Sequence, residues 1–249
     1  MMTESRTHRQ GTAEVTGRVV WDERDSRAGR PPLDGELTGW KVRHRRRSHL
    51  NAIRRHEDRE YHLKWFFHRP LGALGSLGSF GGNAARRELE SARRLHELGI
   101  PTVEPVGWGR HSRGTFFVME GSPGAPLYAL PEPPAAGDLE GLARELGRLV
   151  ALLHNADLCH RDLYVDHVLI HRGTLRLIDV GRVRRFRRRR WIVKDLAGLL
   201  FSAWREGLPA ALARRFLGSY LAHSARRWER RRLIARLVRK ARRYQRHNR

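Results

Sequence analysis

Apolar residues recur along this chain at two different spacings, and the change from one to the other divides it. Over 35–67 the pattern is short, alternating and rich in aromatic and β-branched residues, which predicts strands. In 61–67, Tyr61, Leu63, Trp65 and Phe67 alternate with His62, Lys64 and Phe66, so Lys64 leaves the strand opposite Leu63 and Trp65. Residues 37–42 read as another strand, and Trp108-Gly109 with 115–120 as a hairpin around a turn at 112–114. A Gly-rich connection fills 70–83, and 101–107 reads as an extended linker. Helical spacing governs 84–98, where Leu89, Ala92, Leu95 and Leu98 form a stripe, Asn83 is placed to cap and Gly99 to stop. It returns at 138–155 on Leu139, Leu142, Leu146, Leu149, Val150 and Leu153, and again at 191–204, 209–223 and 225–244. The last helix sets Trp228, Leu233, Ile234, Leu237 and Val238 against a dense arginine face, which suits either a basic outer surface or a helix lying on an anionic membrane. The expectation is an α+β chain: a basic arm over 1–34, a small β-rich lobe over 35–121 and a helical lobe over 122–249.

Composition changes this picture in two ways. No apolar run is long enough to span a bilayer, the first ten residues lack the apolar centre of a signal peptide, and the single Cys159 excludes an intrachain disulfide. A reducing, cytoplasmic setting is expected. The formal charge is +24, from 50 Lys and Arg against 26 Asp and Glu, which draws polyanions: nucleic acid, anionic lipid or a phosphorylated glycolipid. Genome composition accounts for much of the arginine excess, and the four lysines, Lys41, Lys64, Lys194 and Lys240, stand out against it.

The candidate chemistry centres on Cys159-His160-Arg161-Asp162-Leu163, followed by Leu177-Ile178-Asp179-Val180-Gly181. A short apolar run, a tight turn at Arg172-Gly173 and a second apolar run separate the two aspartates. The kinase signature H-R-D-L-x-x-x-N followed by D-F-G matches at His160-Arg161-Asp162-Leu163 and at Asp179-Val180-Gly181, with His167 in the Asn position. Phosphoryl transfer needs this pairing, one carboxylate to orient the attacking hydroxyl and one to hold the Mg2+ on the nucleotide phosphates. The alternative is that both aspartates are turn residues. Lys64 reads as the phosphate-contacting lysine of a kinase or as an edge-strand lysine that discourages aggregation. Glu88, ahead of Glu90, is placed to pair with it. Glu120 ends a strand at Gly121-Ser122-Pro123-Gly124, a hinge whose backbone suits an adenine edge. Seven arginines in 182–190, Arg184, Arg185, Arg187 and Arg188 among them, stand beside the acceptor position and suit an anionic acceptor.

On these residues the chain resembles the bacterial lipopolysaccharide core kinases, the heptose and Kdo (3-deoxy-manno-octulosonic acid) kinase family with a protein-kinase-like fold. The resemblance covers about 35–204. It rests on Tyr61-His62-Leu63-Lys64, Arg87-Glu88 with Leu95-x-x-Leu98-Gly99-Ile100-Pro101-Thr102, Cys159-His160-Arg161-Asp162, and Lys194-Asp195-Leu196-Ala197. It implies Asp162 as catalytic base, Lys64 and Glu88 as the phosphate-positioning pair, and Asp179 as metal ligand with His167 beside it. Asp195 would brace the catalytic loop, with His160 and Arg161 as its structural support. It further implies ATP and Mg2+ as cofactors, an anionic glycolipid acceptor and a peripheral place at the inner membrane face, with nucleic acid the less favoured polyanion. Two alternatives stand beside it: an atypical protein or small-molecule kinase, and a weakly catalytic scaffold that binds polyanions. The chain departs from kinases in lacking glycines at the turn around 45–52 and in lacking A-P-E.

Overall fold

The computed structural model describes residues 20–21, 40–46, 48–56, 58–67, 84–111, 114–122, 124–130 and 135–247. Most of the 1–34 arm, the Gly-rich 70–83 connection with Asn83, and the start of the 37–42 strand lie outside them. The chain forms two compact units, one of the residues up to Arg86 with Pro105–Gly121, the other of Arg87–Glu104 with Ser122–Arg249.

The first unit is an antiparallel sheet. Its strands are β1 (Val20–Trp21), β2 (Lys41–Arg45), β3 (His49–His56), β4 (Arg59–Phe67), β5 (Pro105–His111) and β6 (Gly114–Glu120). They lie in the order β1-β5-β6-β4-β3-β2. The aromatic alternation of β4 buries Tyr61, Leu63 and Trp65 on one face with Trp40, Leu50, Ala52, Val106, Phe116 and Val118. Gly114 lets β6 approach β4, since a Cβ there would lie 2.0 Å from the Phe66 carbonyl oxygen. Two expectations are corrected. β3 occupies residues read as a turn, because it buries only Leu50 and Ala52 amid His, Asn and Arg and so shows little alternation. β5 begins inside the span read as linker, where Val106, Gly107 and Trp108 are buried.

The second unit is mainly helical. α1 (Ala84–Glu97) buries Ala85, Leu89, Ala92 and Leu95 completely and stops at Gly99, whose φ of +67° lets the Ile100 N–H donate back to the Leu95 carbonyl at 2.9 Å. After β7 (Ala125–Pro126) comes α2 (Ala136–Asn155), and β8 (Leu158–Cys159) follows it. The hairpin β9 (Val168–His171) and β10 (Thr174–Leu177) turns through Arg172 and Gly173, both at positive φ as a two-residue turn of this hand requires. β11 (Arg184–Arg185) pairs back onto β8. Then come α3 (Arg189–Arg205), α4 (Ala210–His223) and α5 (Arg230–His247). α5 starts later than its periodicity predicts because the Glu229 carboxylate accepts from the N–H groups of Arg231 and Arg232, both at 2.9 Å. Its buried stripe is Leu233, Leu237 and Ala241, whereas Ile234, expected inward, is 39% exposed. An apolar cavity of about 430 Å³ lies among these helices, lined by Leu142, Leu146, Val168, Leu196, Leu217 and Leu237 among others.

Candidate active site

The catalytic segment is held from beneath by α3. Asp195, 1% exposed, accepts the backbone N–H of His160 at 2.6 Å on one carboxylate oxygen and that of Arg161 at 2.8 Å on the other. Hydrogen bonds to a charged acceptor are the strong class, which suits a loop carrying strain. Arg161 has φ +73°, a left-handed conformation costly for a residue with a side chain. Its guanidinium rests against Phe186 and Trp191, at 5.5 and 5.4 Å from their ring centroids, and those rings stack on each other. Further along, Val165 N–H donates to Ser202 Oγ at 2.9 Å. Gly198 lies under the loop, where a Cβ would be 2.6 Å from the Leu163 carbonyl oxygen. Thus α3 supplies a carboxylate, a hydroxyl and a clear surface to the six-residue segment 160–165.

His160 is fully buried and its Nε2–H donates to the Ile178 carbonyl at 3.1 Å. Burial holds its imidazole below the usual histidine range, so it is neutral near pH 7. That bond fastens the Asp162 segment to the residue before Asp179. His167 makes a second link. Its Nδ1–H donates to the Asp162 carbonyl at 2.7 Å, and its Nε2 lies 3.7 Å from Asp179 Oδ2. Asp179 itself is left-handed at φ +55°. One imidazole nitrogen and one carboxylate therefore face each other across the two motifs. The Asp162 carboxylate is 17% exposed, with Arg182 at 2.8 Å from Oδ2 and Lys194 at 3.7 Å from Oδ1.

Residues 135–220 match the family model described as "Lipopolysaccharide kinase (Kdo/WaaP) family", and 82–158 match "Phosphotransferase enzyme family". A solved structure of WaaP in complex with acyl carrier protein is 28% identical, with a TM-score of 0.64 over 91% of this chain and 99% of that one. The chain is similar to the lipopolysaccharide core kinases. Similar curated proteins are the lipopolysaccharide core heptose(I) kinase WaaP of Pseudomonas aeruginosa, 33% identical over 163 residues, and that of Escherichia coli K12, 28% over 166. Each alignment takes in 57% of this chain, and the chain spans 61% and 62% of the lengths of these two relatives. An aminoglycoside-3'-phosphotransferase of type VIII, 21% identical with a TM-score of 0.57 over 82% of this chain and 94% of its own, shares the fold. The architecture is α+β and protein-kinase-like.

The matched span 135–220 contains Asp162, His167, Asp179 and Asp195. The other sequence-chosen residues are distributed as follows. Lys64 is on β4, an interior strand, which removes the edge-strand alternative; its ammonium lies 5.8 Å from the Phe66 ring centroid. Glu88 is 2% exposed on α1, whereas Glu90 is exposed. The Glu120 carboxylate accepts from Arg59 at 3.0 Å, and the next N–H, of Gly121, donates to the Glu60 carbonyl at 2.6 Å. That amide is therefore paired within the sheet.

The arginine run does not present one face. Strand alternation in β11 turns Arg184 inward, where its guanidinium donates to the Val183 carbonyl at 2.6 Å, and leaves Arg185 exposed. Burial, with Arg87 and Arg161 nearby, lowers the pKa of Arg184. Arg184 is half-buried, unlike Arg185 and Arg188. Arg187 pairs with Asp157 at 3.4 Å, and Arg188 is exposed. Sequence reasoning counted Arg182 only within the arginine run, missed Ser202 and gave Lys194 no role. The scarcity of lysine and the Lys194-Asp195-Leu196-Ala197 stretch were the signals that marked Lys194.

Proposed function

We propose that this protein is an ATP-dependent phosphotransferase that phosphorylates a sugar hydroxyl of lipopolysaccharide core, a heptose or Kdo. One observation carries the reading: His167 Nδ1 bonds the backbone of Asp162 while its Nε2 faces the Asp179 carboxylate at 3.7 Å, which brings the base-bearing and metal-binding motifs of a kinase to one place. Asp162 accepts the proton of the attacking hydroxyl, on a loop fixed by Asp195 and by the Arg161 stack. Lys64 and Glu88 are assigned to positioning the nucleotide phosphates. Asp179 and His167 Nε2 provide one oxygen and one nitrogen donor, a set that fits a divalent cation, though nitrogen is softer than Mg2+ ordinarily takes. When bound, that cation neutralises charge on the phosphates.

Exposed Arg185, Arg187 and Arg188 are assigned to an anionic acceptor. On α5, the exposed Arg231, Arg232, Arg236, Arg239, Arg242, Arg243 and Arg246 favour peripheral contact with an anionic membrane at its cytoplasmic face. Among the described residues no helix is long and apolar enough to cross a membrane. An acyl carrier protein, the partner named for the WaaP structure, is extended to this chain, and the apolar cavity is a place for the acyl chain such a carrier bears.

The test is ATP turnover with purified core glycolipid and, separately, duplex nucleic acid. Turnover that requires glycolipid and is merely inhibited by nucleic acid supports the reading. Tight nucleic-acid binding with no turnover on any glycolipid favours the polyanion scaffold.

A further inference from the structure

Asp162 is followed by Leu163 and Tyr164, so the catalytic segment carries no cation of its own except Arg161, whose guanidinium is laid against Phe186 and Trp191. The cations at the Asp162 carboxylate come from elsewhere. Arg182 reaches Oδ2 at 2.8 Å, but its side chain is 67% exposed. Lys194 approaches Oδ1 from α3 and is only 26% exposed. Its backbone is fixed relative to the loop, because the next residue, Asp195, accepts the N–H groups of His160 and Arg161.

We propose that Lys194 is a catalytic residue whose ammonium contacts the phosphoryl group in transit from a nucleoside triphosphate to the hydroxyl that Asp162 deprotonates; this rests on the phosphotransferase reading above. At 3.7 Å the ammonium is farther from Oδ1 than a charge-assisted hydrogen bond allows, so it is poised beside the base rather than locked to it. The acceptor oxygen bonds to the γ-phosphorus as the bond from that phosphorus to the diphosphate bridging oxygen breaks. The electron pair leaves with the nucleoside diphosphate, and the hydroxyl proton passes to Asp162. Negative charge spreads over the equatorial oxygens of the phosphoryl group, and a fixed ammonium beside the base is placed to meet it. Burial also pulls Lys194 below the ordinary lysine pKa, against the influence of Asp162 and Asp195, which marks a desolvated cation able to act strongly. Lysine, one of only four in this arginine-rich chain, gives a compact point charge with three donors that a planar guanidinium does not reproduce.

The test uses the full chain with ATP and core glycolipid. Lys194→Met should lower kcat about 100-fold or more while the KM for ATP changes little. Lys194→Arg should recover part of the loss. The decisive arm is Lys194→Cys treated with 2-bromoethylamine, which rebuilds a primary amine on the side chain. Native Cys159 is buried, its thiol pushed up to about 12, so alkylation falls on residue 194. Aminoethylation should restore turnover, and the neutral adduct from iodoacetamide should not. Wild-type kcat in Lys194→Met, or equal recovery with both reagents, overturns the proposal. A parallel Asp162→Asn separates the two levels. Transfer by the wild type that is lost in Asp162→Asn but kept in Lys194→Met removes the lysine alone. No transfer by the wild type to any core sugar removes the parent reading and this inference together.

Discussion

The Glu88 carboxylate occupies the space that a side chain on Gly181 would need: a Cβ there would lie 2.7 Å from Glu88 Oε2. Glu88 is 2% exposed, so its carboxylate end would have to shift within packed surroundings to admit a side chain there. Gly181→Ala should therefore displace the Asp179-Val180-Gly181 turn. Overpacking of this kind costs about 1–3 kcal/mol, and urea denaturation should show it. Weaker Mg-ATP binding, read by calorimetry, should accompany it. Wild-type stability and affinity together would show that Glu88 yields freely.

Asp195→Asn should be more damaging than its size suggests. An amide oxygen can keep one of the two loop N–H bonds, while the amide NH2 faces the other donor. Losing one charge-assisted bond and leaving a buried N–H unpaired should cost about 3 kcal/mol, with turnover falling alongside. Chemical denaturation and steady-state kinetics on the same preparation check both.

Acid sensitivity follows from His160. Its folded pKa is depressed by burial, so below the unfolded value of about 6.5 the unfolded chain takes up a proton that the folded chain refuses. Stability is thus fully present above pH 7 and falls as pH drops through 6.5. The limiting slope is about 1.4 kcal/mol per pH unit for one proton. His160→Gln should flatten that part of the profile in denaturation curves from pH 7.5 to 5. An unchanged slope would assign the acid loss to other groups.

Within the arginine run the substitutions should divide. Arg185→Ala with Arg188→Ala removes exposed charge and should raise the acceptor KM with ATP affinity nearly constant, an effect that added salt imitates. Arg184→Ala instead loses an inward-turned side chain bonded to the Val183 carbonyl, and should lower the melting temperature. A larger acceptor effect from Arg184 than from the exposed pair would reverse this division.

The legible parts of the site were local in sequence. His160-Arg161-Asp162 and Asp179-Val180-Gly181 announce themselves by residue type and order, and α1 by an apolar stripe ending at Gly99. What stayed hidden depends on contacts between distant segments. Lys194 matters because α3 carries it to within 3.7 Å of Asp162, which no spacing rule encodes. β3 was obscured because only Leu50 and Ala52 point into the core, and the start of α5 because a side chain, Glu229, sets it. The inward turn of Arg184 was not legible because strand alternation acts inside a charge run as elsewhere.

The central claim is that Asp162 receives the proton of a sugar hydroxyl during phosphoryl transfer from ATP. The most direct measurement is incorporation of γ-labelled phosphate into purified lipopolysaccharide core acceptor by wild type and Asp162→Asn, with ATP binding of both followed by calorimetry. The account predicts labelled acceptor from the wild type, a loss of at least 100-fold in Asp162→Asn, and nearly equal ATP affinity. Undiminished labelling by Asp162→Asn would contradict it.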